Sequence, residues 1–147
     1  MSTVGTRGKY AEAQVKKKLA GLESVRQASY RVPDARAGSF AVALADFLIM
    51  RDGRMTLLEV KEVAHDFRLN HTNLDLSQIG RMRMWKAAGA QAHVLVYHST
   101  SKLWRVSDVL WFHAHYRKVD DNGKVVGSWD LRNTAHITLD DYFKDFL

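Results

Sequence analysis

The sequence predicts an α/β fold in which a mixed central β-sheet is flanked by helices. Two stretches have the apolar spacing of amphipathic helices, and several short apolar runs are typical of strands. An Asp-Gly pair between two of these runs is a strong β-hairpin signature. The chain has 147 residues, of which 46% are hydrophobic, which fits a single domain over residues 1–147.

The first predicted element is a helix from Thr6 to Leu22. Val15, Leu19 and Leu22 repeat at helical spacing, and continuing this stripe backward by three residues reaches Glu12. A carboxylate is therefore expected on or next to the buried stripe. Two interpretations remain open: a first-turn glutamate that the helix dipole favours, or a functional carboxylate.

A β-hairpin is predicted after a first strand at residues 27–32 and a loop at residues 33–39. Its two apolar runs are Phe47–Met50 and Met55–Leu58, and Asp52-Gly53 forms the turn between them. This turn pairs Arg51 with Arg54, and counting outward places Asp46 opposite Glu59. Directly opposed residues in an antiparallel pair have Cβ atoms about 4.5–5.5 Å apart.

Three charged side chains are expected on one face of this hairpin. Side chains alternate along a strand, so Glu59 and Lys61 share a face, to which Asp46 also points. Two close carboxylates repel each other unless a cation or a proton lies between them, and oxygen ligands of this kind suit Mg²⁺. The alternative is a surface hairpin with a salt bridge, although the neighbours Leu58 and Val60 indicate strands covered on both faces.

An aspartate, a short hairpin and then Glu-x-Lys, here Asp46 and Glu59-Val60-Lys61, resemble the core motif of the PD-(D/E)xK nuclease superfamily. The segment Gly8-Lys9-Tyr10-Ala11-Glu12 resembles the glycine-to-glutamate helix start of cellular and phage Holliday junction resolvases. The spacing from Asp46 to Glu59, and Ser77-Gln78 at the start of a later helix, resemble RecU-type resolvases. The resemblance covers residues 8–106 and implies a restriction-endonuclease-like (PD-(D/E)xK) core.

The resemblance also implies roles for these residues. Asp46, Glu59, the backbone carbonyl of Val60 and Glu12 would hold Mg²⁺, for which Mn²⁺ substitutes, and Lys61 would act on the attacking water or on the phosphate. Glu12 is alternatively a water-positioning group. A glutamine at the start of the later helix lies near the metal centre in the family, which makes Gln78 a supporting residue.

One departure from the family pattern concerns the aspartate. The literal Pro-Asp of this chain is Pro33-Asp34, whereas Asp46 follows Ala45. The hairpin register favours Asp46, because Asp34 has no fixed relation to Glu59, and both alternatives stay open.

The rest of the chain continues the alternation of elements. A polar loop over residues 62–75 is expected at the mouth of the site, followed by a helix over residues 77–88 that Asp75 or Ser77 caps and Gly89 ends. Strands are predicted at residues 92–97 and 103–106, and then a helix from a Ser107 cap through Tyr116. A turn at residues 120–123 joins two short strand-like runs. A short strand at residues 136–139 and a terminal helix over residues 142–147, with Thr138 in a cap, complete the prediction.

The charge and composition restrict the partner and the compartment. The net charge of +6 indicates a polyanionic partner. Candidate phosphate contacts, each with ordinary solvation as the alternative, are Arg7, Lys9, Arg31, Arg36, Arg68, His71, Arg81 and Arg83. The absence of cysteine excludes disulfides and thiolate metal sites. No signal-peptide h-region or membrane-length apolar run occurs, so a cytoplasmic protein is expected, with a phage protein in its host cell as one form of it.

The function that the resemblance implies is Mg²⁺-dependent endonucleolytic cleavage of DNA. Within this class it implies a Holliday junction resolvase, a homodimer that cuts four-way junctions. Two alternatives stay open: another endonuclease of this fold acting in repair, replication or restriction, and a non-catalytic basic DNA-binding module. For a dimer surface the sequence offers the C-terminal aromatic residues Trp129, Tyr142, Phe143 and Phe146, with core packing as their other role.

Overall fold

The computed structural model describes residues 4–24, 26–33, 44–116, 121–123 and 127–146, with side chains from residue 9 onward. Its strands are β1 (Gln27–Arg31), β2 (Phe47–Arg51), β3 (Arg54–Val63), β4 (Arg68–Asn70), β5 (Gln91–His98), β6 (Leu103–Asp108), β7 (Ser128–Asp130) and β8 (Ala135–Ile137). The helices are α1 (Val4–Leu22), α2 (Leu76–Ala87), α3 (Val109–Ala114) and α4 (Leu139–Asp141). A 3₁₀ turn covers His71–Asn73, and a π-helical segment, Tyr142–Phe146, follows α4.

Six strands form one mixed sheet in the order β1-β2-β3-β5-β6-β8. The β3–β5 pair is parallel, and the other four pairs are antiparallel. A parallel pair needs a long crossover connection, which here contains β4 and α2. The remaining two strands, β4 and β7, form a separate antiparallel pair.

The hairpin of β2 and β3 has the predicted turn and register. Asp52 and Gly53 have φ angles of 51° and 79°, the positive values that a type I′ turn requires. Arg51 pairs with Arg54, and at the far end Phe47 pairs with Leu58. The local turn chemistry has therefore fixed the position of every residue along both strands.

The sheet is covered on both faces. On one face, Ala11, Val15 and Leu19 of α1 and the C-terminal Tyr142 and Phe143 join a buried cluster with Phe47 and Leu58. On the other face, residues of α2 and α3, among them Ile79, Met82 and Phe112, pack on Leu57 and Val94. The prediction for α1 was wrong at Leu22, which is 40% exposed, because the buried stripe runs through Ala11 instead.

The polar stretch at residues 62–75 is not the loop that was predicted. It contains the end of β3, the strand β4 and the 3₁₀ turn, and Leu69 of β4 pairs with Trp129 of β7. This pairing partner lies far away in the sequence, so periodicity within the stretch does not reveal the strand. Both Leu69 and Trp129 are buried, which explains why so short a pair is stable.

Helix boundaries also differ from the prediction at α3 and α4. The side chain of Asp108, and not that of Ser107, caps α3 by accepting a hydrogen bond from the Leu110 N–H, and the helix ends before Tyr116. Thr138 caps the C-terminal helix as predicted, but that helix begins at Leu139. The predicted strand at residues 136–139 is β8, which begins one residue earlier and ends two residues earlier. Most of the predicted runs around residues 120–123 lie outside the described residues.

The C-terminal aromatic residues are part of the interior. Trp129, Tyr142 and Phe143 are at most 3% exposed. Trp129 lies in the cluster on the α2 face, whereas Tyr142 and Phe143 lie in the cluster on the α1 face, with the partly buried Phe146 packed against them. Of their two expected roles, the structure supports core packing. Among the residues that the structure describes, no helix combines the length and hydrophobicity needed to span a bilayer.

Candidate active site

The site forms where β3 continues past the end of β2. The last β2 pairing of β3 is at Leu58, whereas β3 runs on to Val63. Asp46 stands at this step: its Oδ2 accepts a hydrogen bond from the Val60 N–H at 2.8 Å, and its carbonyl accepts one from Val32 N–H at 2.8 Å. The aspartate is thus fixed by both its side chain and its backbone, beside the part of β3 that extends beyond its pairing with β2.

Glu59 and Lys61 project from β3 on one face, as alternation requires. The Lys61 Nζ lies 3.0 Å from Oε2 of Glu59, which is only 4% exposed. The register places Asp46 next to Glu59, so the structure brings together the aspartate, the glutamate and the lysine that the motif selected. Two carboxylates and one ammonium group are concentrated in a small, mostly buried volume.

The carboxyl of Asp46 is strongly perturbed. Burial, followed by the negative charge of Glu59, raises its pKa to about 8, although the hydrogen bond from Val60 and the charge of Lys61 act in the opposite direction. The charge of Glu12 adds a smaller upward contribution. Burial and the neighbouring carboxylates therefore both oppose the ionisation of Asp46.

Glu12 reaches the edge of this site from α1, next to the buried stripe through Ala11. Its Oε2 lies 2.9 Å from Nη2 of Arg31. The guanidinium of Arg31 also donates to the carbonyl of Val32 and lies over the ring of Phe47, 5.6 Å from its centroid. Arg31, predicted as a phosphate contact, thus holds a predicted metal ligand. Within the described residues, no three His, Asp or Glu side chains gather as a metal-binding group.

Glu62 is a site neighbour that the sequence analysis missed. Its Oε1 accepts a hydrogen bond from the Ala11 N–H at 2.8 Å, which joins α1 to the end of β3. The sequence predicts a loop at this position, because the apolar run of the strand ends before Glu62. Its only sequence indication is alternation: Glu62 lies on the face of β3 opposite to Glu59 and Lys61 and therefore faces α1.

A cleft of about 660 Å³ extends from Glu12 and Lys61 to the segment around β4. The predicted position of residues 62–75 at the mouth of the site therefore agrees with the structure. Polar side chains at this end of the cleft are His65, Arg68, Asn70, Thr72 and Asn73. His71 does not belong to them: it is 2% exposed, and its ring centroid lies 4.7 Å from that of Tyr116 and 4.2 Å from that of Trp129. Its burial argues against the predicted DNA contact.

The other predicted site residues are dispersed. Gln78 is buried in the first turn of α2, and among the described residues no hydrogen bond joins it to Asp46 or Glu59. Lys9 of α1 and Arg81 of α2 are exposed, and so is Arg83, whose Nη1 lies 3.0 Å from Nε2 of His113. The residues Asp34 and Arg36 and the side chain of Arg7 lie outside the described part of the chain. The choice between Asp34 and Asp46 therefore rests on the position of Asp46 alone.

Neither a protein-family model nor a curated protein sequence matches this chain. Among solved structures, the chain is similar to Hjc, a Holliday junction resolvase from the archaeal hyperthermophile Archaeoglobus fulgidus, with a TM-score of 0.57 and 17% sequence identity. The similarity covers 88% of this chain and 95% of that one. It shows the fold: a six-stranded mixed sheet flanked by helices, the restriction-endonuclease-like α/β fold of that resolvase, as the sequence predicted.

Proposed function

We propose that this protein is a metal-dependent DNA endonuclease and, within that class, a resolvase that cuts four-way junctions. A fold by itself does not determine an activity, so the proposal depends on the site. The observation that supports it is the grouping of Asp46, Glu59 and Lys61 where β3 extends beyond its pairing with β2. The fold of the archaeal resolvase and the net charge of +6 agree with a DNA substrate.

The residues at the site fit a hard divalent cation. Asp46 and Glu59 provide carboxylate oxygens, and a cation bound between them would offset the burial and the repulsion that raise the pKa of Asp46. In an antiparallel ladder the N–H and C=O of one residue point to the same side, so the Val60 carbonyl points to the side of Asp46. Mg²⁺, or Mn²⁺ in its place, would be held by these three groups, with Glu12 nearby. When bound, such an ion polarises a phosphate and lowers the pKa of bound water.

Lys61 supplies a fixed positive charge beside the carboxylates. An ammonium group has donors and no acceptor, so it cannot be a metal ligand. Its ion pair with Glu59 holds the Nζ atom at the wall of the cleft. From there it stabilises the charge that develops on a phosphate, or orients the attacking water. The polar end of the cleft, around Arg68, binds the strand that leads to the site.

A cleavage assay on a four-way junction and a linear duplex of equal length, with and without Mg²⁺, tests the proposal. We expect Mg²⁺-dependent cutting of the junction, in excess over the duplex, and loss of cutting by more than about a hundredfold in Glu59→Gln, since even second-shell changes at metal sites cost 10–100-fold. Binding to DNA should persist, because phosphate contacts dominate affinity. The exposed Glu23→Gln is the matched control.

Each contrary outcome points to one alternative. Equal cutting of junction and duplex would indicate another endonuclease of this fold. Binding without cutting in Mg²⁺ or Mn²⁺ would indicate a non-catalytic DNA-binding module. Resolution requires two related cuts, so we propose a twofold-symmetric homodimer, which light scattering would test.

A further inference from the structure

A second large pocket lies on the opposite flank of α1 from the catalytic cleft. It has a volume of about 820 Å³ and is formed by the C-terminal half of α1, the hairpin end of β2 and the helical C-terminal segment. Glu12, at the cleft, and Lys17, at the pocket, are roughly 140° apart around the helix. Arg51 is roughly 17 Å from Asp46 along the strand. The pocket is therefore a separate surface from the proposed catalytic site.

The lining of this pocket is strongly cationic. Among the described residues that line it, four carry a positive charge, Lys17, Lys18, Arg51 and Lys144, and one is a carboxylate, Asp140. Lys18 forms an ion pair with that carboxylate. In the described part of the chain, neither Lys17 nor Lys144 has a carboxylate partner. A concave surface with this excess of positive charge attracts anions.

Arg51 makes the pocket more than a group of mobile lysines. Its Nε donates to Oε1 of Gln27 at 2.7 Å and its Nη1 donates to the carbonyl of Phe143, so the guanidinium is held in place by neutral groups. These partners position the side chain without neutralising its charge. A guanidinium has five N–H donors, so others remain to contact a phosphate.

We propose that this basic pocket is a second contact site for the DNA phosphate backbone, which binds DNA remote from the strand that is cut. The inference depends on the proposed function for its partner, since a junction-cutting enzyme must hold more of its substrate than one scissile phosphate. The ligand chemistry is that of phosphodiesters on a rigid double helix. Lys17 and Lys144 provide the movable contacts, and Arg51 provides the fixed one.

The test compares the double variant Lys17→Gln/Lys144→Gln with the parent in fluorescence-anisotropy titrations of a labelled four-way junction, in EDTA and at several salt concentrations. Losing two phosphate contacts should lower the slope of log affinity against log salt by roughly 1.8 and weaken binding about tenfold. Lys16→Gln/Lys102→Gln removes the same charge from two exposed positions that do not line the pocket. For this control we expect a change of less than about twofold.

An unchanged slope of log affinity against log salt in the pocket variant would overturn the inference. An equal loss of affinity in the control variant would also overturn it, because it would show an effect of overall charge. Sedimentation of the variants distinguishes another occupant: if the pocket variant dissociates a dimer that the control retains, the pocket binds a second copy of the chain. The proposed function fails separately, when the parent binds the junction but does not cut it in Mg²⁺. In that case a weakened pocket variant would still support the DNA contact.

Discussion

Asp46 is an acid whose ionisation is opposed by its surroundings, and this has a consequence for stability. Its folded pKa of about 8 lies above the ordinary value of 3.8, so the folded state binds more protons than the unfolded state between these values. In the absence of metal, the free energy of unfolding should therefore fall as the pH rises from about 4 to about 8. The buried carboxyl of Asp46 therefore destabilises the folded protein least when it is protonated or paired with a cation.

Asp46→Asn should remove this pH dependence. The amide resembles the protonated carboxyl, so in EDTA near pH 8 the variant should exceed the parent in unfolding free energy by roughly 2 kcal/mol or more. Mg²⁺ should raise the melting temperature of the parent and have little effect on the variant. Denaturant titrations and thermal melts across pH measure both effects. The exposed Asp121→Asn is the control, and parallel pH curves for parent and Asp46→Asn would contradict the assignment.

Lys61 should matter for rate and not for metal binding. Lys61→Ala removes an ammonium group that lies 3.0 Å from Glu59, and we expect single-turnover cleavage to fall about a hundredfold or more. Mn²⁺ affinity by calorimetry should stay within a few-fold of the parent. The exposed Lys102→Ala serves as the control. A normal rate, or a loss of metal affinity equal to the loss of rate, would show that the role is wrong.

The three clustered site residues could be predicted because a single local rule connects them. Once Asp52-Gly53 sets the turn, alternation brings Asp46, Glu59 and Lys61 together. His71 and Glu62 could not be placed in this way. The ring of His71 contacts Tyr116 and Trp129, and Glu62 accepts a hydrogen bond from α1, so both depend on contacts between distant segments.

At the scale of secondary-structure elements, the prediction is accurate where paired strands are close in the sequence and fails where they are far apart. The β2–β3 hairpin joins neighbours through a two-residue turn, and its register was correct. The β4–β7 pair joins Arg68 to Asp130, and nothing near either strand in the sequence indicates the other. The polar composition of β4 hides a strand whose single inward residue, Leu69, is buried.

Two glycines make a matched test of the hairpin. Gly53 has φ of 79°, where a Cβ is strained, so Gly53→Ala should cost about 1–2 kcal/mol of stability. Gly80 lies within α2, and a Cβ there would meet no atom within 4 Å. Gly80→Ala should therefore stabilise the protein by up to about 1 kcal/mol. Denaturant unfolding of both variants measures the difference, and a neutral Gly53→Ala would contradict the turn assignment.

At the scale of the whole molecule, the sheet that carries the candidate site also supports the C-terminal segment, which packs against it. The segment after β8 matches no known motif in the sequence, yet Tyr142 and Phe143 complete the core on the α1 face. One buried polar contact anchors it: Nδ1 of His93 in β5 lies 2.9 Å from the hydroxyl of Tyr142. The sequence alone could not reveal this contact, because the two residues are distant along the chain.

Burial lowers the pKa of His93 to about 4 from its ordinary 6.5. The charge of Asp108 has a smaller upward effect on this pKa, and the charge of Lys86 has a smaller downward effect. Between these pH values the unfolded state binds more protons than the folded state. The stability that the neutral His93 contributes is therefore fully present above about pH 6.5. As the pH decreases toward 4, the free energy of unfolding falls by roughly 3 kcal/mol in total. Acid should thus destabilise the packing of the C-terminal segment against the sheet.

His93→Gln tests this relation, because the amide keeps a polar partner for Tyr142 and does not titrate. At pH 8 the variant should be less stable than the parent, and this difference should shrink as the pH is lowered from about 6.5 to about 4. Urea titrations at several pH values measure the difference in unfolding free energy between the variant and the parent. The contributions of Asp46, whose pKa is raised, and of His98, whose pKa is lowered by burial, are present in both proteins and cancel in this difference. The exposed His115→Gln should leave the pH profile unchanged. A gap between His93→Gln and the parent that stays constant with pH would mean that His93 titrates normally in the folded protein.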